Sequence, residues 1–312
     1  MRVGVLMGGR SLERDISLRS GRRVSHALAE LGHDVLELDV DESLVPRLKE
    51  ERLDLVYIAL HGKFGEDGTV QELLEILDIP YTGPGVFSSA IGFNKALSKE
   101  IFLREEIPTP PFFVLSEATF QEMGALHALE ATSGKLGFPL VVKPAAQGSA
   151  LGVKVAFSMD ELPRVVQSAL HYDDRVLLEK YIPGMEVAAS TLGNEDLVSL
   201  PLVETVPRSG FFDFDSRYTP GLTEYFCPAR LDEETSRNAV EVALRTHRAL
   251  GCLNVSRVDI IIDDEGVPQV LELNISPGMT ETSLLPLAAS VAGMDLRELV
   301  ERLVELAMEK YA

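Results

Sequence analysis

The N-terminal part of the chain alternates between apolar runs, glycine-containing loops and segments with helical spacing. Residues 3–7 and 54–60 are mostly apolar, whereas residues 17–31 and 70–77 carry apolar side chains three or four positions apart. Short apolar runs predict strands that are buried on both faces, and the spaced segments predict helices. Strands and helices in alternation favour an α/β unit whose parallel sheet is covered by helices on both faces.

Two loops of this predicted sheet are candidate ligand sites, because open parallel sheets bind ligands where their strands end. Gly8 and Gly9 follow the first strand, with Glu13 near the start of the next helix, and His61 and Gly62 follow a later strand. The glycine spacing is that of neither a dinucleotide-binding fingerprint nor a P-loop. The residues alone leave open a tight turn at the glycines, a solvated Glu13 and an ordinary polar His61.

A predicted hairpin over residues 257–274 gathers polar side chains on apolar strands. Side chains alternate along a strand, so Arg257 and Asp259 share one face, and Glu272 and Asn274 share another. If the two faces coincide, two carboxylates, an amide and a guanidinium converge. Oxygen ligands of this kind suit Mg²⁺, which takes few protein ligands and completes its shell with water and phosphate. A solvated strand face with an ion pair is the alternative.

The middle of the chain carries a possible phosphate-binding hairpin. Residues 140–144 form an apolar strand in which Lys143 is the penultimate residue, and the loop at 145–153 consists mainly of small residues, including Ser149. Such a loop could fold over a triphosphate and offer it backbone N–H donors and a hydroxyl. Lys95 begins a predicted helix, although a lone lysine is usually a surface residue.

Further along, residues 209–225 form a long aromatic segment without regular spacing, and such segments are often functional loops. Breaks in the pattern near residues 84–94 and after residue 183 predict domain boundaries behind residues 93 and 184.

The composition of the chain limits which partners and which compartment are expected. The net charge is −20, from 29 basic and 49 acidic residues, which argues against nucleic acid and anionic membranes as partners. No run approaches about 20 apolar residues, so no membrane span is expected. The two cysteines, Cys227 and Cys252, are spaced for neither a zinc site nor a disulfide framework, which favours a reducing compartment, the cytoplasm.

Several separated motifs occur together in the order found in one family. They are GGRSLERDIS at 8–17, LHG at 60–62, GEDG at 65–68, YTG at 81–83, YFCPA at 225–229, RVD at 257–259, NISPGMT at 274–280 and SL at 283–284. The chain therefore resembles the D-alanine–D-alanine ligases of the ATP-grasp superfamily, over essentially its whole length. Each motif is weak alone, and the ordered set carries the resemblance.

The resemblance implies an α/β ATP-grasp fold in three domains. Residues 1–93 would form an N-terminal domain with a doubly wound parallel sheet, residues 94–184 a central domain, and residues 185–312 a C-terminal domain. The last two domains would clamp ATP between them. A homodimer is also implied by the family.

The implied reaction makes D-alanyl-D-alanine for peptidoglycan precursors. The carboxylate of one D-alanine takes the γ-phosphoryl group of ATP to give an acyl phosphate, and the amine of a second D-alanine then displaces phosphate.

The resemblance also assigns roles to individual residues. Nucleotide contacts would come from Lys95, Lys143, Glu179, Lys180, Ile182, Glu186 and Arg217. Two Mg²⁺ or Mn²⁺ ions would be held by Asp259, Glu272 and Asn274. Catalytic positions would be Glu13, Ser149, Tyr218, Arg257 and Gly278, and contacts to D-alanine would be made by His61, Ser283 and Leu284.

Three positions depart from the family pattern. Arg217 stands where lysine is usual, Ala150 where a second serine is common, and Ile275 where threonine is common. These changes are expected to tune affinity and not to abolish activity. A ligase with another acceptor, such as D-lactate, D-serine or another amino acid, remains the alternative, whereas a catalytically dead nucleotide-binding module is disfavoured because Asp259, Glu272 and Arg257 are all present.

Overall fold

The computed structural model describes residues 1–122, 124–208, 210–211, 214–219 and 221–311, and leaves the side chains of Asp215 and Tyr218 undescribed. The strands among these residues are β1 Arg2–Met7, β2 Asp34–Asp39, β3 Leu55–Ile58, β4 Phe112–Ser116, β5 Leu140–Pro144, β6 Lys154–Ala156, β7 Arg175–Lys180, β8 Gly184–Gly193, β9 Val198–Ser199, β10 Val203–Pro207, β11 Thr223–Phe226, β12 Asn254–Asp263 and β13 Pro268–Asn274.

The helices are α1 Arg14–Glu30, α2 Leu44–Glu50, α3 Thr69–Ile76, α4 Val86–Phe93, α5 Lys95–Arg104, α6 Glu117–Glu122, α7 Ala125–Leu136, α8 Leu162–Leu170, α9 Phe214–Tyr218, α10 Glu233–Ala249, α11 Leu284–Val291 and α12 Leu296–Lys310. Helix α1 begins three residues before the predicted start, since its first turn is polar and gives no apolar periodicity. The long segment at 209–225 is not all loop, because it contains α9 and the start of β11.

The first sheet is parallel, in the order β2–β1–β3. Alternate side chains of β1 point to opposite faces: Val5 packs with Leu28 of α1, whereas Leu6 packs with Leu48 of α2 and Leu74 of α3. Helices therefore cover both faces of the sheet, as its alternating sequence predicts.

The second sheet is antiparallel, in the order β4–β7–β5–β6. Helices α7 and α8 cover one face, where Leu129 and Val166 pack against Leu140 and Leu178. The opposite face carries Lys143 and Glu179 toward a large cavity. An amphipathic sheet of this kind leaves one face for a ligand.

The third sheet is antiparallel, in the order β11–β10–β8–β12–β13, with β9 beside β8. Helices α5 and α10 pack on it, and Phe102 of α5 joins Val258 and Ile260 of β12 in one core. Helix α5 thus shares a core with the third sheet, although the predicted domain division groups it with the second. The three-domain division behind residues 93 and 184 stays a prediction.

The C-terminal helix returns to the N-terminal unit. Leu299 and Leu303 of α12 lie in the same core as Val24 of α1 and Val255 of β12, so this core joins the first and third sheets. Asp295 and Glu298 form a capping box that fixes where α12 begins. Among the described residues, none of the helices has the length and apolar character needed to cross a membrane.

Candidate active site

The hairpin of β12 and β13 brings its polar side chains together as the alternation predicts. Arg257 lies opposite Asn274, and Asp259 lies opposite Glu272, with a bulge after Asp259. The Arg257 guanidinium donates to both oxygens of Asp259, at 2.7 and 2.9 Å, and the Asn274 amide donates to Asp259 at 3.2 Å. These groups are largely buried, so a charged cluster sits inside the protein between two cavities.

A cavity of about 750 Å³ lies between the second and third sheets. Its apolar lining includes Val141, Met185 and Leu271, a composition suited to a flat ring system. The predicted nucleotide residues among its lining are Lys143, Glu179, Lys180, Ile182, Glu186 and Arg217. Asp259 and Glu272 of the hairpin line it too. The cavity thus combines an apolar slot with cations and carboxylates.

Lys95 reaches the same cluster from the first residue of α5. Its ammonium lies 3.2 Å from the Glu272 carboxylate and donates to the Gln147 carbonyl at 2.7 Å. Burial works against ionisation of Glu272, but Lys95, Arg217 and the other neighbouring cations outweigh it and lower its pKa to about 2. Glu272 is therefore a carboxylate throughout the physiological pH range.

Glu179 is held by two lysines. Lys143 lies 2.6 Å from one carboxylate oxygen, and Lys99 of α5 lies 2.6 Å from the other. Burial opposes the charge on Glu179, but the two ammonium groups outweigh it and keep its pKa below the usual range. Sequence reasoning missed Lys99, and the available signal was its position one helical turn after Lys95.

Glu186 stands at the opposite wall of the large cavity, on β8. Burial raises the pKa of this carboxyl to about 7, although Arg217 pulls it down. The Arg217 guanidinium, carried by the short helix α9, lies 3.8 Å from Asp259. Arg217 therefore lies beside the hairpin, and its role toward a phosphate stays a prediction.

A second, smaller pocket of about 50 Å³ adjoins the hairpin on its other side. Its lining includes Glu13, His61, Ser149, Arg257 and Gly278, all of which the sequence singled out. The pocket also includes Arg217, which lines both cavities. The two cavities are therefore neighbours that meet at the charged cluster.

The Glu13 carboxylate is the distinctive group of the small pocket. One oxygen accepts a hydrogen bond from the Ser149 hydroxyl, and the other, Oε2, is buried with no hydrogen-bond partner among the described residues. Burial raises the Glu13 pKa to about 7, with a further contribution from the nearby Glu66 carboxylate. A buried acceptor without a donor suits an ammonium ligand, which would supply both hydrogen bonds and charge.

His61 belongs to a network that the sequence did not reveal. Its Nε2 lies 3.0 Å from the Ser20 hydroxyl, and Ser20 accepts from the Met279 backbone N–H at 3.2 Å. Its Nδ1 lies 3.8 Å from Glu66, whose other oxygen accepts from the Gly62 N–H at 2.8 Å. Glu66 was visible only as part of the GEDG motif, and Ser20 had no sequence signal.

Helix α1 fixes the loop that carries Gly278. The Arg23 guanidinium donates to the Met279 carbonyl at 2.6 Å, and Arg19 pairs with Glu281 at 2.9 Å. Ser20 and Arg23 therefore hold the backbone of Met279 at both its N–H and its carbonyl. The backbone N–H of Gly278 therefore has a defined place beside Arg257 in the pocket.

Of the remaining predicted residues, two lie at the start of α11 and the third has a side chain outside the described part. Ser283 lies just before α11 and accepts from the Thr280 N–H at 2.9 Å. The Leu284 side chain is buried in the core with Leu285, so its backbone is the part available to a ligand. The Tyr218 side chain lies outside the described residues, and its catalytic role stays a prediction.

The predicted metal ligands form a small set. Within the described ranges, no group of three or more histidine, cysteine, aspartate or glutamate side chains is placed to hold a metal ion. Asp259 and Glu272 supply two carboxylates, and Asn274 supplies an amide. This donor set fits Mg²⁺ or Mn²⁺ when phosphate oxygens complete the shell, since Mg²⁺ binds few protein ligands beside a nucleotide.

Comparison with known proteins gives one consistent picture. A family model described as D-ala D-ala ligase C-terminus matches residues 101–305, and one described as D-ala D-ala ligase N-terminus matches residues 41–84. A D-alanine–D-alanine ligase of Pelotomaculum thermopropionicum is 45% identical over 309 residues, covering 99% of this chain and 97% of the relative.

Solved structures agree with these matches. The D-alanine–D-alanine ligase from Bacillus anthracis complexed with ATP superposes with a TM-score of 0.83 at 34% identity, over 99% of this chain and 98% of the other. The VanG D-Ala:D-Ser ligase from Enterococcus faecalis gives a TM-score of 0.83 at 28% identity, over 98% and 99% of the chains. The predicted α/β ATP-grasp fold is confirmed.

Proposed function

This chain belongs to the D-alanine–D-alanine ligase family, and on that premise we propose that it joins two D-alanine molecules with cleavage of ATP to ADP and phosphate. The product, D-alanyl-D-alanine, would serve peptidoglycan synthesis. The family match confirms the resemblance drawn from the ordered motifs. The geometry of the chain's own site supports this chemistry.

One observation carries the proposal: a large nucleotide-sized cavity and a small pocket meet at the β12–β13 hairpin. Asp259 and Glu272 line the large cavity, whereas Arg257 and Asn274 line the small pocket, and Arg217 lines both. A phosphoryl group at the inner end of the cavity would lie beside an amino acid in the pocket. That juxtaposition is what phosphoryl transfer to a substrate carboxylate requires.

The large cavity suits ATP. Lys95, Lys143 and Arg217 would bind the phosphates, because their cations converge on the hairpin end of the cavity. Glu179, Lys180 and Ile182 would line the adenine slot, and Glu186 would bind the ribose hydroxyls.

Asp259, Glu272 and Asn274 would hold two Mg²⁺ or Mn²⁺ ions. Such ions would offset the negative charge that spreads over the transferring phosphoryl group. Lys95 contacts Glu272, and Arg257 contacts Asp259, so these two cations would orient the carboxylates.

The small pocket suits the first D-alanine. Its ammonium would pair with Glu13 Oε2, which faces the pocket without another partner among the described residues. The carboxylate of this D-alanine would then point to the hairpin and attack the γ-phosphorus of ATP, which releases ADP. His61 and Ser149 would complete the pocket, with Tyr218 closing it from the 209–225 segment to keep water from the acyl phosphate.

The second step needs an oxyanion site and a second amino acid. Arg257 and the Gly278 backbone N–H would stabilise the tetrahedral oxyanion that forms when the second amine attacks the acyl carbon. Ser283 and the backbone N–H of Leu284 would bind the second carboxylate, since they stand at the N-terminus of α11. The bond between the acyl carbon and the phosphate oxygen then breaks, and phosphate leaves as the amide bond remains.

Acceptor choice is tested by supplying D-alanine with ATP and Mg²⁺, alone or with D-serine or D-lactate, and weighing the products. Phosphate release with D-alanine alone, and a product of dipeptide mass, is the expected result. A product containing D-serine or D-lactate in preference would move the assignment toward ligases such as VanG. The absence of phosphate release from every one of these mixtures would refute the proposal.

The Glu13 carboxyl should set the acid limb of activity. Its pKa is raised to about 7 in the free protein, and only the ionised form pairs with an ammonium. As pH falls below about 7, kcat/KM for the first D-alanine should therefore fall by about tenfold per unit. The profile is measured at saturating ATP, so that Glu186, whose pKa is also about 7, does not contribute.

The matched variant is Glu13→Gln, which cannot ionise. Its kcat/KM for the first D-alanine should be low, and its pH profile should lack this acid limb. An acid limb near the ordinary carboxyl pKa, or one that persists in the variant, would contradict the role given to Glu13.

Gly148→Ala should impair binding of the first D-alanine. A Cβ at this position would lie 2.7 Å from Glu13 Oε2 and 2.9 Å from Oε1, so the carboxylate would have to move. We expect KM for D-alanine to rise by about tenfold or more, which corresponds to about 1.4 kcal/mol of lost binding. The control is Gly134→Ala on α7, where an added Cβ meets nothing within 4 Å. Equal KM values in the two variants would count against the placement of Glu13.

Two further features of the protein are proposed. A homodimer is proposed from the family resemblance. A cytoplasmic location fits Cys227 and Cys252, both of which are free thiols.

A further inference from the structure

We propose that Lys99 makes the protein selective for a 6-aminopurine nucleotide over a 6-oxopurine nucleotide, by holding Glu179 as a charged acceptor at the base. The inference rests on the proposed function in one respect, that Glu179 faces the base of the bound nucleotide. Lys99 is a positioning residue, since it would act through Glu179 and would not touch the nucleotide.

Lys99 is locked in place from several sides. Its side chain is fully buried on α5, and its ammonium lies 2.6 Å from Glu179 Oε2. The ammonium also donates to the Thr109 hydroxyl, which in turn donates to the Val270 carbonyl at 2.7 Å. The Phe112 ring lies 5.4 Å away, on a further side of the cation. A lysine held in this way has no freedom to follow a ligand.

Lys143 differs from Lys99 in this respect. Lys143 also lies 2.6 Å from Glu179, but it lines the large cavity, whereas Lys99 is not part of the lining. When Lys143 turns to a phosphate, Glu179 keeps Lys99 as its fixed cation. Glu179 is itself almost fully buried, so it needs such a partner to remain ionised and in one orientation.

The charge state of Glu179 decides what it recognises. An ionised carboxylate only accepts hydrogen bonds, so it pairs with the exocyclic amine of adenine and repels the carbonyl of a 6-oxopurine. A protonated carboxyl loses this discrimination because it can donate to the carbonyl, and a rotated carboxylate loses it because its oxygens no longer face the 6-position. Leaving a buried polar group unpaired lowers affinity for the wrong ligand by about tenfold to a hundredfold.

The test compares ATP with inosine triphosphate, which differs at the purine 6-position. In Lys99→Met, the ratio of kcat/KM for the two nucleotides should fall at least about tenfold, mainly through KM for ATP. The matched control is Lys135→Met. Lys135 also lies over a ring of β4, at 5.2 Å from Phe113, but it does not pair with Glu179. Its ratio should equal that of the parent.

A second arm keeps the test decisive if Lys99→Met folds poorly. Glu179→Gln removes the charge that Lys99 holds, and the double variant Lys99→Met with Glu179→Gln has a neutral pair in the core. The double variant should show the same nucleotide ratio as Glu179→Gln alone. Independent effects of the two substitutions, or an equal loss with both nucleotides in Lys99→Met, would overturn the inference.

Calorimetric titration with ADP and inosine diphosphate, without amino acids, separates this inference from the proposed function. Selective binding of ADP that is lost in Lys99→Met supports the role of Lys99 even if no dipeptide forms. Dipeptide synthesis by a parent protein that binds both diphosphates equally would sink the inference and leave the ligase assignment standing.

Discussion

Arg257→Met is expected to lower kcat by about a hundredfold to a thousandfold, the effect of losing one well-placed oxyanion donor. The guanidinium lines the small pocket beside Gly278, and Asp259 holds it through two hydrogen bonds at 2.7 and 2.9 Å. Because it is oriented before the reaction starts, it would stabilise developing charge without reorganising. KM for ATP should change much less than kcat, since the donor acts in the transition state.

Two controls separate this role from folding. Arg257→Lys keeps the charge but loses the forked contact with Asp259, so its kcat should lie between those of the parent and Arg257→Met. Arg237→Met on the exposed face of α10 should behave as the parent. Thermal unfolding of each variant is measured alongside, because removing Arg257 leaves Asp259 without its closest partner. A kcat for Arg257→Met within about threefold of the parent would refute the oxyanion role.

Glu272→Gln should remove most turnover and weaken Mg²⁺ binding together. Glu272 is mostly buried, its pKa is lowered to about 2, and it pairs with Lys95 at 3.2 Å, so it is a permanent carboxylate at the inner end of the nucleotide cavity. Replacing that charge with an amide should lower kcat about a hundredfold or more and raise the Mg²⁺ concentration needed for half activity.

The matched control lies on the same hairpin. Glu265→Gln changes an exposed residue of the turn between β12 and β13, and it should leave both the rate and the Mg²⁺ requirement unchanged. Turnover is measured across a Mg²⁺ titration, with Mn²⁺ as the alternative ion. An unchanged Mg²⁺ midpoint in Glu272→Gln would remove this residue from the proposed metal site, even if the rate fell.

The sequence predicted the parts of the site that depend on local geometry. The period of two along a strand sufficed to place Arg257 and Asp259 on one face, and the pairing with Asn274 and Glu272 follows from a hairpin with a short turn. Lys95 and Lys143 were visible for a similar reason, since each lies at or near the end of a regular element with apolar neighbours. Local spacing carries such information because backbone geometry repeats along each element.

The contacts that the sequence did not predict join residues far apart in the chain. Ser20 and Arg23 of α1 hold Met279, and no periodicity connects residues separated by more than 250 positions. Lys99 was missed because lysines are almost always exposed, and its burial depends on Glu179 and Thr109 being brought to it by two other elements. The packing of α5 on the third sheet was hidden likewise, since its apolar face alone does not specify a partner.

The direct test of the central chemistry follows the carboxylate oxygen of the first D-alanine. D-alanine labelled in both carboxylate oxygens with a heavy oxygen isotope is supplied with ATP and Mg²⁺, and the released phosphate is weighed. Activation as an acyl phosphate predicts that each phosphate carries one labelled oxygen, because the carboxylate oxygen that attacked phosphorus leaves with it. Unlabelled phosphate would contradict activation as an acyl phosphate at the Glu13 pocket and the hairpin. The labelled oxygens would then be found in the amino acid or in AMP.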